Sequence, residues 1–339
     1  MAVTIKDSTK NGDMWNEWAT ILNAAIYDAD AQQNKYDDIV DALAVVEKSK
    51  RWGEKATTIG GLGDFEIKAE GADAADDTFE EGYSKFIQHY TFSKDFIVSK
   101  EMRDDNQLGD AKTKAVNMVQ AYKRTRAQFA TNAITSSIGA ATAMTFGGQT
   151  GIDITTGDGL ALFNSAHTLK SVAGTTISNH FKDVLGSNTT VLNKAANLMR
   201  NFKDDRGNVL GFTADTIIIP GNDPEYEDFV KRVIGSDGEV GSNKNDINTQ
   251  RGKWKLVVDP LWTPTISATN HPIIVMSSEA QKALKGTRLF DRTPLDIEND
   301  TDVHSRNLTY NGFARIGVGF TNWRHALLLG SGDADASTL

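Results

Sequence analysis

The chain has 339 residues, of which 39% are apolar and 24% charged, so it can bury a substantial core and has an ordinary globular composition. Its formal net charge of -9 argues against a chain that attracts nucleic acid as a whole. The absence of cysteine excludes disulfides and thiolate chemistry, and it restricts any zinc site to histidine and carboxylate ligands.

The N-terminal region predicts two helices. The first 15 residues lack the apolar core of a signal peptide, and no run of about 18 apolar residues follows, so we expect no membrane span and a protein kept in a reducing cytoplasm. Helical spacing over residues 14–50, with a break near Asp28–Asn34, is shown by Trp15, Trp18, Ile21, Leu22, Ala25, Ile26, Ile39, Leu43 and Val46. These narrow apolar stripes need a partner surface, either in the same domain or on another subunit.

Residues 51–99 predict a long two-stranded hairpin. Asp64–Glu70 alternates apolar and charged residues, and Ser84–Ser99 does so less regularly. The segment from Asp64 to Glu81 contains eight acids and one lysine, a local charge of -7. It is either a solvated acidic tip or an arm that reaches onto a neighbouring subunit, since an isolated hairpin is marginal in water. The candidate contact residues are Glu70, Asp73, Asp76, Asp77, Glu80 and Glu81.

A long helix is predicted over Asp110–Ile138, a stretch without glycine or proline, with Asp110 as the N-cap and Gly139 as the stop. Its residues 111–130 contain no acid. The basic residues there are Lys112, Lys114, Lys123, Arg124 and Arg126. They form a solvated helix face, a surface for an acidic arm, or a surface for a polyanion.

The second half of the chain alternates short strands and helices. Thr189–Phe202 predicts an amphipathic helix and Thr213–Pro220 a buried strand. Asp223 and Pro224 then have the N-cap and N1 chemistry of another helix. Residues 235–250 predict a polar, mobile loop. The later strands are predicted in KWKLVVDPLW, HPIIVMSSE and ARIGVGFTNWRHALLL.

No catalytic, cofactor-binding or metal-binding residues are predicted. Ser165 and His167 are two residues apart, with Asp158 upstream, and on a strand they would share a face, but no GxSxG motif surrounds the serine. The six histidines form no HxH or HExxH pattern, the glycines of IGGLGDF form no phosphate-binding loop, and no nucleic-acid-binding module is recognisable.

Several segments in order resemble the major capsid (head) proteins of tailed bacteriophages, and within them the Mu-like major head subunit group. The resemblance covers roughly residues 35–326. It is carried by YDDIVDALAVVEKS, EEGYSKFIQHYTFSKDFIVSKEMRDD, the long helix, DGLALFNSAHTL, TADTIIIP and GFTNWRHALL.

The resemblance implies an α+β protein with the Hong Kong 97-type capsid fold. Residues 1–50 would form an N-terminal helical arm and residues 51–99 the extended hairpin loop. Residues 100–189 would form the peripheral domain with the spine helix 110–138, and residues 190–295 the axial domain. Residues 296–339 would return to the peripheral domain and end in a tail.

The implied function is structural, and the chain is not expected to be an enzyme. Copies would assemble through pentamers and hexamers into an icosahedral head enclosing double-stranded DNA. Because only about 50 residues precede the hairpin, the resemblance implies a separate scaffolding protein or an already processed chain. The other implied partners are the portal and double-stranded DNA, which is bound non-specifically. The protein would be made in the host cytoplasm and reside in the virion. Two alternatives remain, an encapsulin-type compartment shell and a serine hydrolase that uses Ser165 and His167.

Overall fold

The computed structural model describes residues 3–7, 9, 14–59, 64–65, 67–68, 70–71, 73, 76–77, 81–172, 174–186, 189–240 and 246–339. Its helices are α1 Asn16–Ala31, α2 Lys35–Leu43, α3 Lys100–Asp104, α4 Leu108–Ser136, α5 Thr190–Arg200, α6 Pro224–Gly235 and α7 Ser278–Leu284. None of the helices in the described part of the chain has the length and apolar character needed to cross a bilayer.

Besides these helices, the described part of the chain contains strands. They are β1 Thr4–Asp7, β2 Val45–Lys48, β3 Gly53–Ile59, β4 Glu81–Gln88, β5 Tyr90–Val98, β6 Ala143–Phe146, β7 Gln149–Asp153, β8 His167–Thr168, β9 Thr176–Ile177, β10 Thr216–Pro220, β11 Lys255–Asp259, β12 Ile273–Met276, β13 Thr287–Thr301, β14 Leu308–Phe320 and β15 Ala326–Leu329.

The chain divides into two units. The first contains Met1–Glu54, Ile87–Ala130 and Leu289–Val318. Its five-stranded sheet has the order β1-β13-β14-β5, and β2 also pairs with β13. The β1–β13 pair is parallel and the β14–β5 pair antiparallel. Both β2 and β5 therefore lie at an edge of this sheet in the described part of the chain.

The core of the first unit lies between the helices and one face of this sheet. Because side chains alternate along a strand, Leu295 and Ile297 of β13 face the core while Glu298 is exposed. The core contains Trp15, which precedes α1 as its N-cap, and the following residues of α1 and α4: Trp18, Leu22, Ile26, Ala29, Ala111, Ala115, Met118 and Val119. The predicted N-terminal helices thus find their partner surface in their own unit.

Two details of the predicted helices are wrong. Helix α4 begins at Leu108, so Asp110 lies inside its first turn and is not the N-cap. The Asp110 carboxylate still lies where a negative charge complements the helix dipole. Val46 belongs to strand β2 instead of the second helix, which ends at Leu43.

The second unit contains Lys55–Phe86, Thr131–Arg288 and Gly319–Leu339. Its four-stranded sheet has the order β11-β10-β12-β15, parallel between β10 and β11 and antiparallel elsewhere. All the residues of β10, β12 and β15 are buried, which explains their continuous apolar runs. The predicted caps of α6 are confirmed, since Asp223 accepts a hydrogen bond from the Tyr226 N–H and Pro224 occupies N1.

The predicted hairpin is present with different strands, because β3 pairs with β4. The predicted strand Asp64–Glu70 is not formed by its described residues. Four of them lie in no strand, namely Asp64, Phe65, Ile67 and Lys68, and Glu70 lies in a turn. The other two residues of this stretch lie outside the described residues. The predicted strand Ser84–Ser99 is two strands, β4 and β5, which separate at His89 and pair with different partners. Of the predicted polar loop, residues 241–245 lie outside the described residues.

Candidate functional site

His167 and Ser165 do not form a nucleophile–base pair. His167 is fully buried, with Nδ1 2.7 Å from Asp158 Oδ2 and Nε2 3.2 Å from the Leu162 carbonyl oxygen. Ser165 lies in a bend outside strand β8, so the expected shared strand face does not exist. Both ring nitrogens of His167 face partners other than Ser165, so the ring is not positioned to accept a proton from the Ser165 hydroxyl.

Asp158 holds this arrangement together. Its Oδ1 accepts hydrogen bonds from the Thr156 hydroxyl and from the Leu160 N–H. Burial alone would raise the pKa of the Asp158 carboxyl, but the hydrogen bonds from His167, Thr156 and Leu160 outweigh it and hold the pKa below its usual range. Asp158 and His167 therefore form a buried structural pair.

The two segments LFNSAHTL and FTNWRHALL pack against each other around Trp323. The Trp323 ring is stacked on His167, with centroids 4.4 Å apart and planes 9° apart. The neighbouring Arg324 donates from Nη2 to Asp205 Oδ1 at 2.7 Å and from Nε to the Lys203 carbonyl oxygen at 2.6 Å. The two segments therefore have a structural role in the second unit.

The other histidines offer no metal centre. His325 is buried, and burial lowers its pKa to about 4. Its Nδ1 lies 2.8 Å from the Asn322 carbonyl oxygen and its Nε2 2.8 Å from the Thr287 hydroxyl, so the ring is used for packing and hydrogen bonding. In the described part of the chain, no group of histidine, aspartate and glutamate residues could hold a metal ion.

The acidic hairpin residues lie at the surface. Glu70, Asp73, Asp76 and Glu81 are exposed, and Glu80 lies outside the described residues. Asp77 is also exposed, but it pairs in its own chain with Arg206 in a bidentate contact of 2.6 and 2.8 Å. Most of the described acids are thus placed where a partner could reach them.

The basic residues of α4 divide into two groups. Lys112, Lys114 and Arg124 are exposed. Lys123 is buried and donates to the Asp30 and Gln32 carbonyl oxygens and to Asp37 Oδ2, at 3.0, 2.6 and 3.0 Å.

Arg126 is likewise buried, and its guanidinium contacts both carboxylate oxygens of Asp291 at 3.3 and 3.1 Å. The placement of Lys123 and Arg126 on an exposed basic face is therefore wrong, because their charges are neutralised inside the first unit.

The sequence analysis missed a set of exposed apolar residues, two of which lie in the acidic hairpin. Phe65 and Ile67 are 105% and 102% exposed, so they contact little of their own chain. Trp52 is 61% exposed. The alternation of Asp64–Glu70, which predicts a strand of the hairpin, already contained both Phe65 and Ile67.

Comparison with known proteins identifies the fold. A chain of Mycobacterium phage Patience is 14% identical, with a TM-score of 0.52 over 99% of this chain and 95% of that chain. The capsid of Cyanophage P-SCSP1u is 15% identical, with a TM-score of 0.52 over 88% and 87%. The capsid of an empty GTA particle is 12% identical, with a TM-score of 0.50 over 88% and 90%. The chain thus has the Hong Kong 97-type fold of phage capsids.

The family follows from the sequence itself. The model of a family described as phage capsid protein matches residues 82–329, well over half of the chain. No curated protein matches. The chain belongs to this phage capsid protein family and is a structural major capsid protein of the tailed-phage type. Neither the encapsulin nor the hydrolase alternative is favoured.

Proposed function

We propose that copies of this chain assemble through pentamers and hexamers into an icosahedral head that encloses double-stranded DNA. The observation that carries the proposal is the family match over residues 82–329, which includes α4, the whole four-stranded sheet and strands β5, β13 and β14 of the five-stranded sheet. The full exposure of Phe65 and Ile67 supports it, because large apolar side chains projecting from a chain are typical of surfaces that another molecule covers. The Mu-like subgroup stays a prediction.

Closed rings require one surface of each copy to contact a different surface of the next, repeated around an axis. Rings of five and of six from one chain require some elements to adjust. We assign this adjustment to the hairpin loop of residues 51–99 and to the loop of residues 235–250. Residues 100–189 and 296–339 would form the peripheral domain of the shell, and residues 190–295 the axial domain.

The acidic hairpin is the proposed contact with a neighbour. Its exposed acids, Glu70, Asp73 and Asp76, can meet basic side chains of a second copy. On α4 the exposed basic side chains are Lys112, Lys114 and Arg124, of which Lys114 also donates to the Ile97 carbonyl oxygen of its own chain at 3.2 Å. An exposed pair contributes only about 0–1 kcal/mol, so the register between copies would come from many contacts together.

The further partners are a separate scaffolding protein and a portal during assembly in the host cytoplasm, and packaged DNA in the virion. The net charge of -9 makes DNA retention by the subunit weak and non-specific, which suits release of the genome.

The test is to express the chain with and without its phage's scaffolding protein, then to measure particle size by sedimentation and electron microscopy and nuclease-protected DNA in particles from infected cells. We expect closed shells and protected double-stranded DNA. Shells that hold a protein cargo and no DNA would favour a compartment shell, and a chain that stays monomeric under every condition would contradict the proposal.

A further inference from the structure

The five-stranded sheet of the first unit has a second face, opposite its core, which carries two arginines. Leu295 of β13 and Tyr310 of β14 face the core. Arg292 and Arg315 lie an odd number of residues from them along the same strands, so their side chains leave from the opposite face, which we call the open face. Both arginines are half-buried there.

The neighbours of Arg315 on the open face come from β5. The antiparallel register between β14 and β5 places Arg315 opposite Thr91, whose side chain is exposed. The same register continues to Gly317 and His89. A Cβ atom at Gly317 would lie 2.4 Å from His89 Nδ1, so the His89 ring covers β14 at this point. Arg315 therefore lies between the Thr91 hydroxyl and the His89 ring on the open face.

Arg292 lies beside Arg315 on the neighbouring strand. Strands β13 and β14 are adjacent in the sheet, and the turn that joins them is closed by the Asp302 N–H, which donates to the Asn307 carbonyl oxygen at 3.0 Å. Pairing counted back from this turn places Arg292 opposite Gly317, diagonally next to Arg315. Residues in this diagonal relation are roughly 7–8 Å apart, within reach of two long side chains.

The electrostatics of His89 agree with this placement. Burial lowers the pKa of the His89 imidazole, Glu54 opposes that shift, and the charges of Arg292 and Arg315 lower the pKa further. Since the interaction between charges weakens with distance, the two guanidinium groups must both lie near this one ring. The two arginines thus form a local pair of like charges.

Neither arginine of the open face has a partner in the described part of the chain. The Arg315 Nε atom is buried and donates to no acceptor. Arg292 forms no hydrogen bond or ion pair with the described residues. By contrast, Arg126 and Arg324 each contact a carboxylate within their own unit. A buried N–H without an acceptor costs about 1–3 kcal/mol, which indicates an acceptor supplied from outside the chain.

The carboxylates nearest to the two arginines are engaged by other residues. Glu54 is half-buried and accepts from the Ser49 hydroxyl at 2.7 Å. Asp291 precedes Arg292 in β13 but faces the core, where it contacts Arg126 at 3.1 Å and where the charge of Lys48 also acts on it. Neither acid forms an ion pair with an arginine of the open face.

The other acids of the open face lie toward its far end. Asp296 and Glu298 bind Lys6 at 2.9 and 2.7 Å. Asp95 lies opposite Asn311, which is separated from the arginine of β14 by more than one row of the sheet. The surroundings of the arginine pair are therefore positive, because two guanidinium charges face one carboxylate that is already engaged.

Two unpartnered guanidinium groups side by side match one class of ligand. Each group is a planar fork that stays charged and donates two parallel N–H bonds to oxygen atoms. A carboxylate has two oxygens and is satisfied by one fork, whereas a tetrahedral oxyanion offers acceptors to both forks at once. The exposed Thr91 hydroxyl adds a further donor beside Arg315. This donor set has the chemistry of a phosphate-binding site.

We propose that Arg292 and Arg315, together with Thr91, bind an oxyanion of the phosphate class on the open face of the five-stranded sheet. The oxyanion is a free phosphate ion or a phosphodiester group of nucleic acid, since both present unesterified oxygens to arginine. One copy of the chain supplies every residue of the site, so the inference does not depend on the proposed assembly.

Arginine labelling of the wild-type chain tests the site without any substitution. Unassembled subunits are treated with phenylglyoxal in sodium phosphate, in a short DNA duplex, or in sodium chloride of the same ionic strength, and each arginine is followed by mass spectrometry. We expect phosphate groups to slow the labelling of Arg292 and Arg315 at least fivefold relative to chloride. The exposed Arg124 of α4 is the internal control and should be unaffected.

The outcomes of the labelling experiment are distinct. Protection by the duplex at a phosphate concentration where the free ion gives none identifies nucleic acid as the source, and protection by the free ion alone identifies the ion. Equal protection of Arg124, or no protection of Arg292 and Arg315 by either source, would overturn the inference. Loss of labelling in shells assembled without phosphate or DNA would also overturn it, because a second copy would then cover the site.

A binding measurement on variants supplies a second readout. We expect Arg292→Gln combined with Arg315→Gln to weaken binding of the protecting probe at least tenfold in isothermal titration calorimetry. The matched control, Lys112→Gln combined with Arg124→Gln, removes the same charge from the exposed side of α4 and should change binding less than twofold. Circular dichroism checks that both variants are folded.

Equal weakening by the two double variants would show that binding follows net charge alone, and the inference would then be wrong. The result is separable from the proposed function. Subunits that bind phosphate through the two arginines but form no shells would contradict the assembly and leave this site in place, whereas normal shells without phosphate binding would contradict only the site.

Discussion

Single residues explain why Ser165 and His167, the candidate hydrolase residues, have a structural role instead. Asp158 collects donors from His167, Thr156 and Leu160, and His167 is stacked on Trp323. A buried carboxylate surrounded by donors stabilises the fold only while it is ionised, because protonation removes the acceptor that those donors require. The stability of the second unit should therefore depend on pH through Asp158.

The substitution Asp158→Asn tests this dependence. At pH 7 we expect the variant to lose about 3 kcal/mol of unfolding free energy, since one partner of a buried pair is removed. The lowered pKa of Asp158 means that its contribution is complete above the unfolded-state pKa, about 4, and is lost as the pH falls through the lower folded-state pKa. The difference from wild type should then shrink toward pH 3.

Urea unfolding of unassembled subunits measures both effects, with the exposed Asp104→Asn as the matched control, expected to change stability by less than about 1 kcal/mol. A stability difference for Asp158→Asn that is the same at pH 7 and pH 3 would contradict the role given to this carboxylate.

At the scale of elements, α4 organises the first unit through buried cations as well as apolar contacts. Lys123 reaches the turn between α1 and α2, where it binds the Asp30 and Gln32 carbonyl oxygens and Asp37. Asp37 also accepts from the Asn34 N–H in the capping box of α2. One lysine thus satisfies the carbonyl groups at the end of one helix and the cap of the next.

We predict that Lys123→Met destabilises the subunit by about 2 kcal/mol, because methionine keeps the aliphatic packing but leaves these acceptors without their charged donor. Thermal or urea unfolding measures the change. Lys112→Met, on the exposed side of the same helix, should stay within about 0.5 kcal/mol of wild type. Equal effects of the two substitutions would contradict the assigned role of Lys123.

The sequence predicted the helices and strands whose apolar residues recur at regular spacing within a short stretch of the chain. The helices around Trp18 and Val119 and the strand of Ile217–Ile219 follow from periodicity and apolar runs. Strand β13 was missed because its sequence, TRLFDRTPLDIENDT, carries six charged residues and a proline. Its Asp291 is buried against Arg126, which lies 165 residues away in the chain and neutralises its charge.

The same reason limited the prediction of the site. Helical spacing places Lys123 and Arg126 four and seven residues after the buried Val119, on the same face of α4, but it does not show which acceptors allow their charges to be buried there. Their partners come from other elements, and only the folded chain brings these together. The exposure of Phe65 and Ile67 is equally a property of the tertiary structure, whereas the acidity of the hairpin was visible in the sequence.

At the scale of the whole molecule, the positions of the charges matter more for the proposed assembly than the net charge does. A local charge of -7 in the Asp64–Glu81 segment accounts for most of the net charge of -9. In the proposed assembly, complementary charges on two surfaces of one chain would steer copies together and fix their register, and this effect would weaken as salt screens the charges. Phe65 and Ile67 would supply the part of the contact that salt does not screen.

Electron cryomicroscopy of assembled shells at a resolution that shows side chains tests the central claim most directly. The account predicts rings of five and six copies in which Phe65 and Ile67 of one copy are buried against a neighbouring copy. Shells in which Phe65 and Ile67 stay in solvent, or lie against their own chain, would contradict it.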